Sequence, residues 1–318
     1  PSRRLLIKST MLKSAVIGVG YLGRFHAQKH AALPECELVG VVDADQEQAR
    51  AVGDELGVPW HTDPEAVQDQ VDAVSIVVPT SAHHTITKPF LERGIHVLLE
   101  KPFAATIPEA DELTALAEAK NTVLQIGHLE RFNVVYTGFR EQIGKPQFVE
   151  SIRIAPFPKR GTDVDVILDL MIHDIDLVLA VVQEMPEAVE ATGVPILTTS
   201  IDLASARLRF PGGCVANLTA SRVSDKAERR MRIFQPGLYL SLDYGTGQAR
   251  RLQVDPQESL DPETLQPETF QLERGDALLE EIRSFLDCVR TGSDPQVSAQ
   301  DGLNAMRVAA QVQEQIQR

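Results

Sequence analysis

Residues 14–23 read Ser-Ala-Val-Ile-Gly-Val-Gly-Tyr-Leu-Gly, and this stretch decides the fold of the first half of the chain. Its first four residues are typical of a buried strand, and a helix-like pattern follows to about Ala32. The glycines have the spacing G-x-G-x-x-G, which alone is a weak signal because glycine triplets also occur in ordinary loops. A strand before the glycines and a helix after them are the context in which this spacing predicts a dinucleotide-binding turn.

Each glycine of this motif has a physical reason to be glycine. Gly18 permits the tight turn, Gly20 lets the backbone approach a pyrophosphate, and Gly23 allows close packing of helix on strand. The pyrophosphate would lie at the helix N-terminus, where free N–H groups and the helix dipole favour anions. We count Tyr21 and Leu22, which lie between the glycines, among the expected cofactor-binding residues.

An acidic residue follows at the distance that the motif predicts. The apolar run Glu37–Val42 ends in Asp43, 20 residues after Gly23, where a carboxylate would bind the ribose hydroxyls of the cofactor. Asp43 would repel a 2′-phosphate, and no arginine follows it until Arg50. We therefore expect NAD rather than NADP; a Rossmann-like fold without cofactor is the alternative.

The alternation of strands and helices continues to Gly127. The next predicted strands are 73–78, 95–99 and 122–126, and the helices between them are 45–56, 84–93 and 108–120. Such alternation implies right-handed crossovers and a parallel sheet. Residues 11–127 are therefore predicted to form a doubly wound, parallel Rossmann domain.

Polar residues follow two of these strands, at the sheet edge where open α/β folds bind ligands. They are Pro79, Thr80 and His83 after one strand, and Glu100 and Lys101 after another. We expect these residues to contact the cofactor, although a surface lysine after an edge strand is the alternative for Lys101. A metal at His83 and His84 is not expected, because adjacent side chains rarely converge on one ion.

The pattern changes in residues 128–318, which are predicted to form an α+β domain with a largely antiparallel open sheet. Alternating runs occur at 148–155, 204–210, 215–222, 231–234 and 238–243. A linking helix is expected over 130–143, a surface connection over 255–268, and closing helices over 276–290 and 299–317. The closing helices could pack back on the first domain.

A helix predicted over 162–182 carries a polar stripe. Asp165, Asp169, His173 and Asp176 follow one another at steps of four, four and three, which places them on one helix face. Thr162 with Asp165 resembles a capping arrangement. The other positions are nearly all apolar, so the helix should be buried and the stripe must be paired or line a cavity. The sequence leaves two interpretations of the stripe open: a hydrogen-bonded network at the domain interface, or a face that lines the substrate site.

Composition excludes several classes of function. The chain has 318 residues and a net charge of −14, which argues against general binding of nucleic acid or of anionic membranes. It contains no uncharged apolar run of about 20 residues that would span a membrane. Its three cysteines have no zinc spacing and indicate reduced thiols in a cytoplasmic protein. The basic residues 1–10 are interpreted as a cloning remnant or an extended start.

Four stretches together resemble the glucose–fructose oxidoreductase and inositol dehydrogenase family, Gfo/Idh/MocA. They are Gly18–Gly23, Pro79-Thr80-x-x-His83, Glu100-Lys101-Pro102 and Asp169-x-x-x-His173. The resemblance implies NAD(P)-dependent oxidation of a sugar or cyclitol hydroxyl, and a second domain whose open sheet often forms the interface of a homodimer or homotetramer. By the same resemblance Lys101 and His173 are the catalytic pair, and Asp169 binds or orients the substrate. Many members have glycine where this chain has Met171.

Residues 127–133 and 169–176 resemble one bacterial branch of that family, which includes UDP-N-acetylglucosamine 3-dehydrogenases. A UDP-sugar brings a diphosphate, for which arginines are suitable partners. The candidates are Arg131, Arg153, Arg160, Arg222, Arg229 and Arg230, and solvated surface arginines are the alternative for each. We expect Arg131, Asn133 and Arg160, with Asp169 and His173, to bind the substrate.

The hypothesis is therefore hydride transfer from a secondary alcohol carbon, at C3 of UDP-N-acetylglucosamine, to the nicotinamide. A base must remove the hydroxyl proton, and the sequence leaves Lys101 and His173 open for that role. Lys101 would serve if desolvation and the cofactor's positive charge lower its pKa. The rival hypotheses are a dehydrogenase of a free cyclitol or monosaccharide and a non-catalytic NAD-binding regulator.

Overall fold

The computed structural model describes residues 11–157, 164–255 and 265–317. These residues form two compact units. The first comprises the described residues up to Leu129 together with Asp276–Leu303, and the second comprises the described part of Glu130–Gly275 together with the residues from Asn304 onward. The predicted surface connection 255–268 and Thr162 fall mostly or wholly outside the described residues.

The first unit contains a six-stranded parallel sheet in the order β3-β2-β1-β4-β5-β6. Its strands are β1 (Leu12–Ile17), β2 (Cys36–Val42), β3 (Trp60–His61), β4 (Ala73–Ile76), β5 (His96–Glu100) and β6 (Leu124–Gly127). The predicted doubly wound Rossmann sheet is thus confirmed. The chain reverses its strand order between β1 and β4, and in such sheets that point forms the ligand crevice.

Capping side chains begin several of the helices. The helices are α1 (Tyr21–Ala32), α2 (Gln46–Leu56), α3 (His83–Glu92), α4 (Ile107–Lys120), α5 (Val134–Phe139), α6 (Ile172–Val182), α7 (Ala277–Thr291) and α8 (Ala299–Gln317). Asp45 and Asp276 accept hydrogen bonds from first-turn N–H groups, and Thr106 with Glu109 forms a capping box. None of the helices in the described ranges is long and apolar enough to cross a membrane.

The second unit is built on an eight-stranded sheet in the order β14-β13-β12-β11-β7-β10-β9-β8. Its strands are β7 (Phe148–Ile154), β8 (Ala188–Val194), β9 (Leu203–Arg209), β10 (Val215–Ser221), β11 (Glu228–Gln235), β12 (Leu238–Asp243), β13 (Gln248–Gln253) and β14 (Glu268–Gln271). The pair β7 and β10 is parallel and the other pairs are antiparallel, so the predicted largely antiparallel sheet is confirmed. Alternate residues of β7, β9 and β10 are buried on one face.

Two expectations for this unit were wrong. The helix predicted over 130–143 is broken into a 3₁₀ turn (Leu129–Phe132), α5 and a second 3₁₀ turn (Arg140–Gln142). Asn133 interrupts it because its side chain accepts the N–H of Val135 and starts a new helix there. Strands β8, β13 and β14 were not predicted, since their sequences lack a clean apolar alternation.

Candidate cofactor and substrate sites

The glycine turn of the first unit has the geometry that a bound pyrophosphate needs. A Cβ atom on Gly18 would lie 2.5 Å from the carbonyl oxygen of Val77, and one on Gly23 would lie 1.8 Å from the carbonyl oxygen of Gly18. Gly18 also has a φ of +84°, so neither position tolerates a side chain. A Cβ on Gly20 meets nothing within 4 Å. The surface above Gly20 is therefore open, beside the first N–H groups of α1.

A cavity of about 590 Å³ lies at the carboxyl ends of β1, β2 and β4. Its described lining combines aliphatic side chains with one carboxylate, that of Asp43. The carboxylate is fixed by the N–H of Val19, at 2.8 Å, and by the N–H of Asp45, at 2.9 Å. No lysine or arginine is among the described residues that line the cavity. An apolar slot with a fixed acid suits an adenosine, whose ribose hydroxyls can donate to that acid.

The other predicted cofactor residues of the first unit divide into two groups. Pro79 lines the cavity, and Thr80 begins the 3₁₀ turn that follows it. Tyr21 is 83% exposed and Leu22 is 39% exposed at the start of α1. His83 is not among the described residues that line the cavity, and its predicted contact with the cofactor stays a prediction. It is buried, with Nε2 2.9 Å from the carbonyl oxygen of Val78, and burial lowers its pKa despite the hydrogen bonds to backbone carbonyls.

Lys101 follows the last residue of β5 at the carboxyl edge of the parallel sheet. It is half-buried, and its backbone N–H donates to the side chain of Glu100 at 3.2 Å. The carboxylate of Glu100 also accepts from Nε2 of His26, at 3.2 Å. The peptide bond between Lys101 and Pro102 is cis. Lys101 therefore lies at the sheet edge where ligands bind, and its backbone is hydrogen-bonded to the buried acid Glu100.

In the second unit the predicted polar stripe is divided by a π-helical turn, Ile167–Met171, which precedes α6. Asp169 lies on this turn and His173 lies in the first turn of α6, and both are half-buried. Asp165 instead caps the turn, accepting the N–H groups of Ile167 and Leu168. A π-turn widens the helix locally and is frequent at functional sites. Asp169 and His173 are the members of the stripe that remain candidates for substrate contact.

Asp176, the fourth member of the stripe, is fully paired within the unit. Its two oxygens accept from Nε and Nη2 of Arg131, at 2.7 and 2.8 Å, and both side chains are buried. Arg153 pairs in the same way with Asp174 and donates to Glu130 at 2.8 Å. Burial raises the pKa of Asp174, against the opposing charge of Arg153. For Asp176 the paired-network interpretation is therefore the correct one.

The same pairings change the interpretation of the expected phosphate ligands. The guanidinium of Arg131 is engaged by Asp176, so the structure does not support its predicted contact with substrate. Asn133 caps α5 and donates to Glu130 and to the carbonyl oxygen of Tyr244, which gives it a structural task as well. Arg222 is buried against Asp202. Arg160 lies outside the described residues, and its predicted role stays a prediction.

Among the described residues, no three His, Cys, Asp or Glu side chains are arranged to hold a metal ion. The cysteines Cys36, Cys214 and Cys288 are buried and carry free thiols. The candidate reactive groups among the described residues are the amine of Lys101 in the first unit and the Asp169 carboxylate and His173 imidazole in the second.

Comparison with known proteins identifies the class and then the family. The family model for oxidoreductases with an NAD-binding Rossmann fold, Gfo/Idh/MocA, matches residues 12–128, and the model for the Gfo/Idh/MocA C-terminal domain matches residues 125–235. The glycine turn, the acid-bearing cavity and this match define a nicotinamide-dependent oxidoreductase. The chain belongs to the Gfo/Idh/MocA family, as its four motifs indicated.

Relatives of this chain include several dehydrogenases. UDP-N-acetylglucosamine 3-dehydrogenase from Acidithiobacillus ferrooxidans is 40% identical over 279 residues, which cover 87% of this chain and 88% of that enzyme. A solved structure of UDP-N-acetylglucosamine 3-dehydrogenase from the same organism matches with a TM-score of 0.90 at 38% identity, covering 96% of this chain and 97% of that one. Myo-inositol 2-dehydrogenase from Thermotoga maritima is 27% identical, covering 93% of each chain.

Proposed function

We propose that this protein is an NAD-dependent dehydrogenase that oxidises the C3 hydroxyl of UDP-N-acetylglucosamine. The observation that carries the proposal is the 40% identity to the Acidithiobacillus enzyme over 87% of this chain. That similarity exceeds the 27% identity to the inositol dehydrogenases. The chain also retains a lysine, an aspartate and a histidine at the three positions where the family motifs place its reactive groups.

Lys101 is the proposed base. When bound, the nicotinamide supplies a hydride acceptor at its C4 atom. The hydroxyl must lose its proton as the hydride leaves the same carbon, so a base within hydrogen-bond reach is required. The neutral amine of Lys101 takes that proton, the O–H bond breaks and a C=O bond forms, which leaves a ketone, the reduced cofactor and an ammonium group. Partial burial and the positive charge of the oxidised nicotinamide both favour the neutral amine.

His173 and Asp169 complete the proposed site. The imidazole of His173 hydrogen-bonds the hydroxyl that reacts or passes on its proton, and the carboxylate of Asp169 orients the substrate. Their placement on the π-turn and the first turn of α6 holds both groups on one helical segment. Substitution of His173 by alanine should lower kcat about 10²- to 10⁴-fold and leave NAD binding unchanged. Wild-type turnover in that variant would remove His173 from the mechanism.

NAD rather than NADP is the proposed cofactor. The carboxylate of Asp43 is held by two backbone N–H groups at the edge of the nucleotide cavity. A 2′-phosphate beside it would meet a fixed negative charge, and the described lining offers no cationic side chain to offset that repulsion. Specificity constants for the two cofactors test this directly: NAD should be preferred, and a preference for NADP would refute the assignment.

The substrate class is tested by a panel of candidate alcohols. NADH formation is followed by absorbance with UDP-N-acetylglucosamine, other UDP-sugars, free sugars and inositols. A 3-aminotransferase or a carbonyl trap is included to remove the ketone. The proposal predicts turnover with UDP-N-acetylglucosamine and none with free N-acetylglucosamine. Turnover with free polyols alone would instead support an inositol dehydrogenase, the second candidate, which relatives such as the scyllo-inositol 2-dehydrogenase (NAD(+)) of Bacillus subtilis favour.

We further infer that the protein is a cytoplasmic homodimer or homotetramer. The three buried free thiols suit a reducing compartment. On the face of the second sheet opposite the buried residues, the rings of Phe148, Phe234 and Tyr239 pack against one another at tilted angles, with centroids 5.7 and 5.1 Å apart, and remain partly exposed. Apolar area on an open sheet face favours association with a second copy. Light scattering should give an oligomer, and Phe234→Glu should shift it towards monomer; a monomeric wild type would refute the inference.

A further inference from the structure

Glu281 is a fully buried acid on the apolar face of α7. Its exposure is 0%, and neither carboxyl oxygen has a hydrogen-bond partner among the described residues. Its backbone carbonyl accepts from the amide of Gln125, on β6, at 3.2 Å. Gln125 is also fully buried, and its side-chain oxygen lacks a donor among the described residues. A buried ionised carboxylate without a donor is costly, so the state of Glu281 needs an explanation.

The nearest functional feature is the buried acid that supports Lys101. Glu100 accepts from Nε2 of His26 and from the backbone N–H of Lys101. The strand beside it makes room for the carboxylate, because a Cβ on Gly127 would lie 2.9 Å from Oε1 of Glu100. Gln125 and Gly127 are two residues apart on β6, so both positions lie on the same face of the sheet. Glu100, Gln125 and Glu281 thus belong to one buried polar cluster in the first unit.

This cluster has two carboxyl groups and few donors. Glu281 has two neighbours in the cluster: the uncharged amide of Gln125 from β6, which donates to its backbone carbonyl, and the carboxylate of Glu100 from the end of β5, whose charge acts on it. Glu100 in turn accepts from His26 of α1 and from the backbone N–H of Lys101. Burial, and then the negative charge of Glu100, raise the pKa of Glu281 well above its ordinary value. Burial also raises the pKa of Glu100, but His26 and Lys101 outweigh it and lower the pKa overall. These opposite directions favour the neutral form for Glu281 and the ionised form for Glu100.

We propose that Glu281 is a positioning residue. As a neutral carboxylic acid it donates a hydrogen bond within this cluster, and it thereby fixes the carboxylate of Glu100, which accepts the backbone N–H of Lys101. A protonated carboxyl has one O–H donor, and the side-chain oxygen of Gln125 and the carboxylate of Glu100 are both acceptors. The expected effect of Glu281 on turnover rests on the proposed function of Lys101. The protonation state of Glu281 is independent of that function.

The protonation state is tested by thermal unfolding as a function of pH. A carboxyl that is protonated when folded and ionised when unfolded makes stability fall as the pH rises above the unfolded pKa of about 4.3. Glutamine cannot ionise, so the Tm of Glu281→Gln minus that of the wild type should grow from about pH 5 to about pH 8. Glu280→Gln, at the exposed neighbouring position, is the matched control and should give a difference that does not change with pH. A Glu281→Gln difference that is flat, or that falls as the pH rises, would overturn the proposal.

The positioning role is tested by turnover in two variants. Glu281→Leu removes the donor and should lower kcat about 10- to 100-fold, with little change in the Kd for NAD. Glu281→Gln restores a neutral donor of the same size and should recover most of that loss. Equal losses in both variants, or none in Glu281→Leu, would overturn the role.

If the wild type oxidises no sugar, the proposed function fails, while the pH dependence of Tm still decides the protonation state of Glu281. If Glu281→Leu does not fold, the infrared band of a protonated carboxylic acid is compared between the wild type and Glu281→Gln. The proposal predicts that the band is present in the wild type and absent in Glu281→Gln. A spectrum that is the same in both proteins would overturn it.

Discussion

Substitution of Gly20 by alanine separates the cofactor site from the stability of the fold. The new methyl group would meet no atom within 4 Å, and the φ of Gly20, −62°, is outside the left-handed region that favours glycine. The free energy of unfolding without cofactor should therefore change by less than about 0.5 kcal/mol. In the proposed complex the pyrophosphate lies against this surface, so the methyl group occupies its place.

The expected result is a loss of NAD binding in a protein that folds normally. We expect the Kd for NAD to rise at least about 100-fold, which corresponds to about 2.7 kcal/mol. Calorimetry gives the Kd, and thermal unfolding gives a second measure. At an NAD concentration of about 100 times the wild-type Kd, the wild type gains about 2.7 kcal/mol and the variant gains less than about 0.5 kcal/mol.

Gly57 provides the control with the opposite pattern. It ends α2 with a φ of +67° and has nothing within 4 Å of an added Cβ. Gly57→Ala should cost about 1 kcal/mol of stability because alanine is strained in that conformation, and it should leave the Kd for NAD unchanged. If Gly20→Ala binds NAD with the wild-type Kd, the pyrophosphate does not lie on the glycine turn and the reasoning fails.

Three other predictions follow from the described contacts. Asp43→Asn removes the fixed charge at the nucleotide cavity, so it should weaken NAD binding about tenfold and raise the ratio of NADP to NAD specificity constants; an unchanged ratio would contradict the assignment. Arg131→Met leaves Asp176 buried without its bidentate partner and should destabilise the second unit by about 3–5 kcal/mol in urea unfolding, whereas a loss below about 1 kcal/mol would show that the pair is not critical. Burial raises the pKa of Asp202, but hydrogen bonds from three backbone N–H groups and from Arg222 outweigh it and hold that pKa well below its usual range. The stability it contributes is present above the unfolded pKa of about 3.9 and is lost as the pH falls below it, so Asp202→Asn should destabilise at about pH 7 and progressively less below about pH 4.

The first unit was largely predictable because local signals and the final fold agree. The run from Ser14 to Gly23 specifies strand, turn and helix with residues whose conformational needs are local, and the structure shows that side chains at two of its glycines would clash with backbone atoms. The predicted starts of α2 and α7, at residues 45 and 276, lie within one residue of the observed ones, and both residues are the N-caps. Here propensity, period and turn chemistry pointed to one answer.

The roles of the charged residues could not be derived in the same way. The pairing of Arg131 with Asp176 joins positions 45 residues apart, and nothing in the local sequence distinguishes such an arginine from a phosphate ligand. The π-turn at Ile167–Met171 changes the angle about the helix axis between Asp169 and His173, and the apolar pattern of the sequence does not reveal it. The burial of His83 against the carbonyl oxygen of Val78 was also not predictable, because a strand-end position indicates the sheet edge but not the direction of the side chain.

Glu281 carries a signal that sequence reasoning could have used. In α7 the buried apolar residues include Ile282, Phe285 and Val289, and Glu281 lies four residues before Phe285 on the same face. An acid at such a position must be neutral, paired or functional. Its relation to Glu100 and Lys101 becomes visible only when α7 is placed beneath the sheet.

Turnover of UDP-N-acetylglucosamine by the wild type and by Lys101→Ala tests the central claim most directly. NADH formation is measured with the ketone trapped, and Lys88→Ala, which removes an exposed lysine paired with Glu112, is the control. We expect turnover in the wild type and control, a fall in kcat of about 10²- to 10⁴-fold in Lys101→Ala, and an unchanged Kd for NAD. Near-full turnover in Lys101→Ala would contradict the assigned base, and tight NAD binding without oxidation of any UDP-sugar would contradict the proposed function itself.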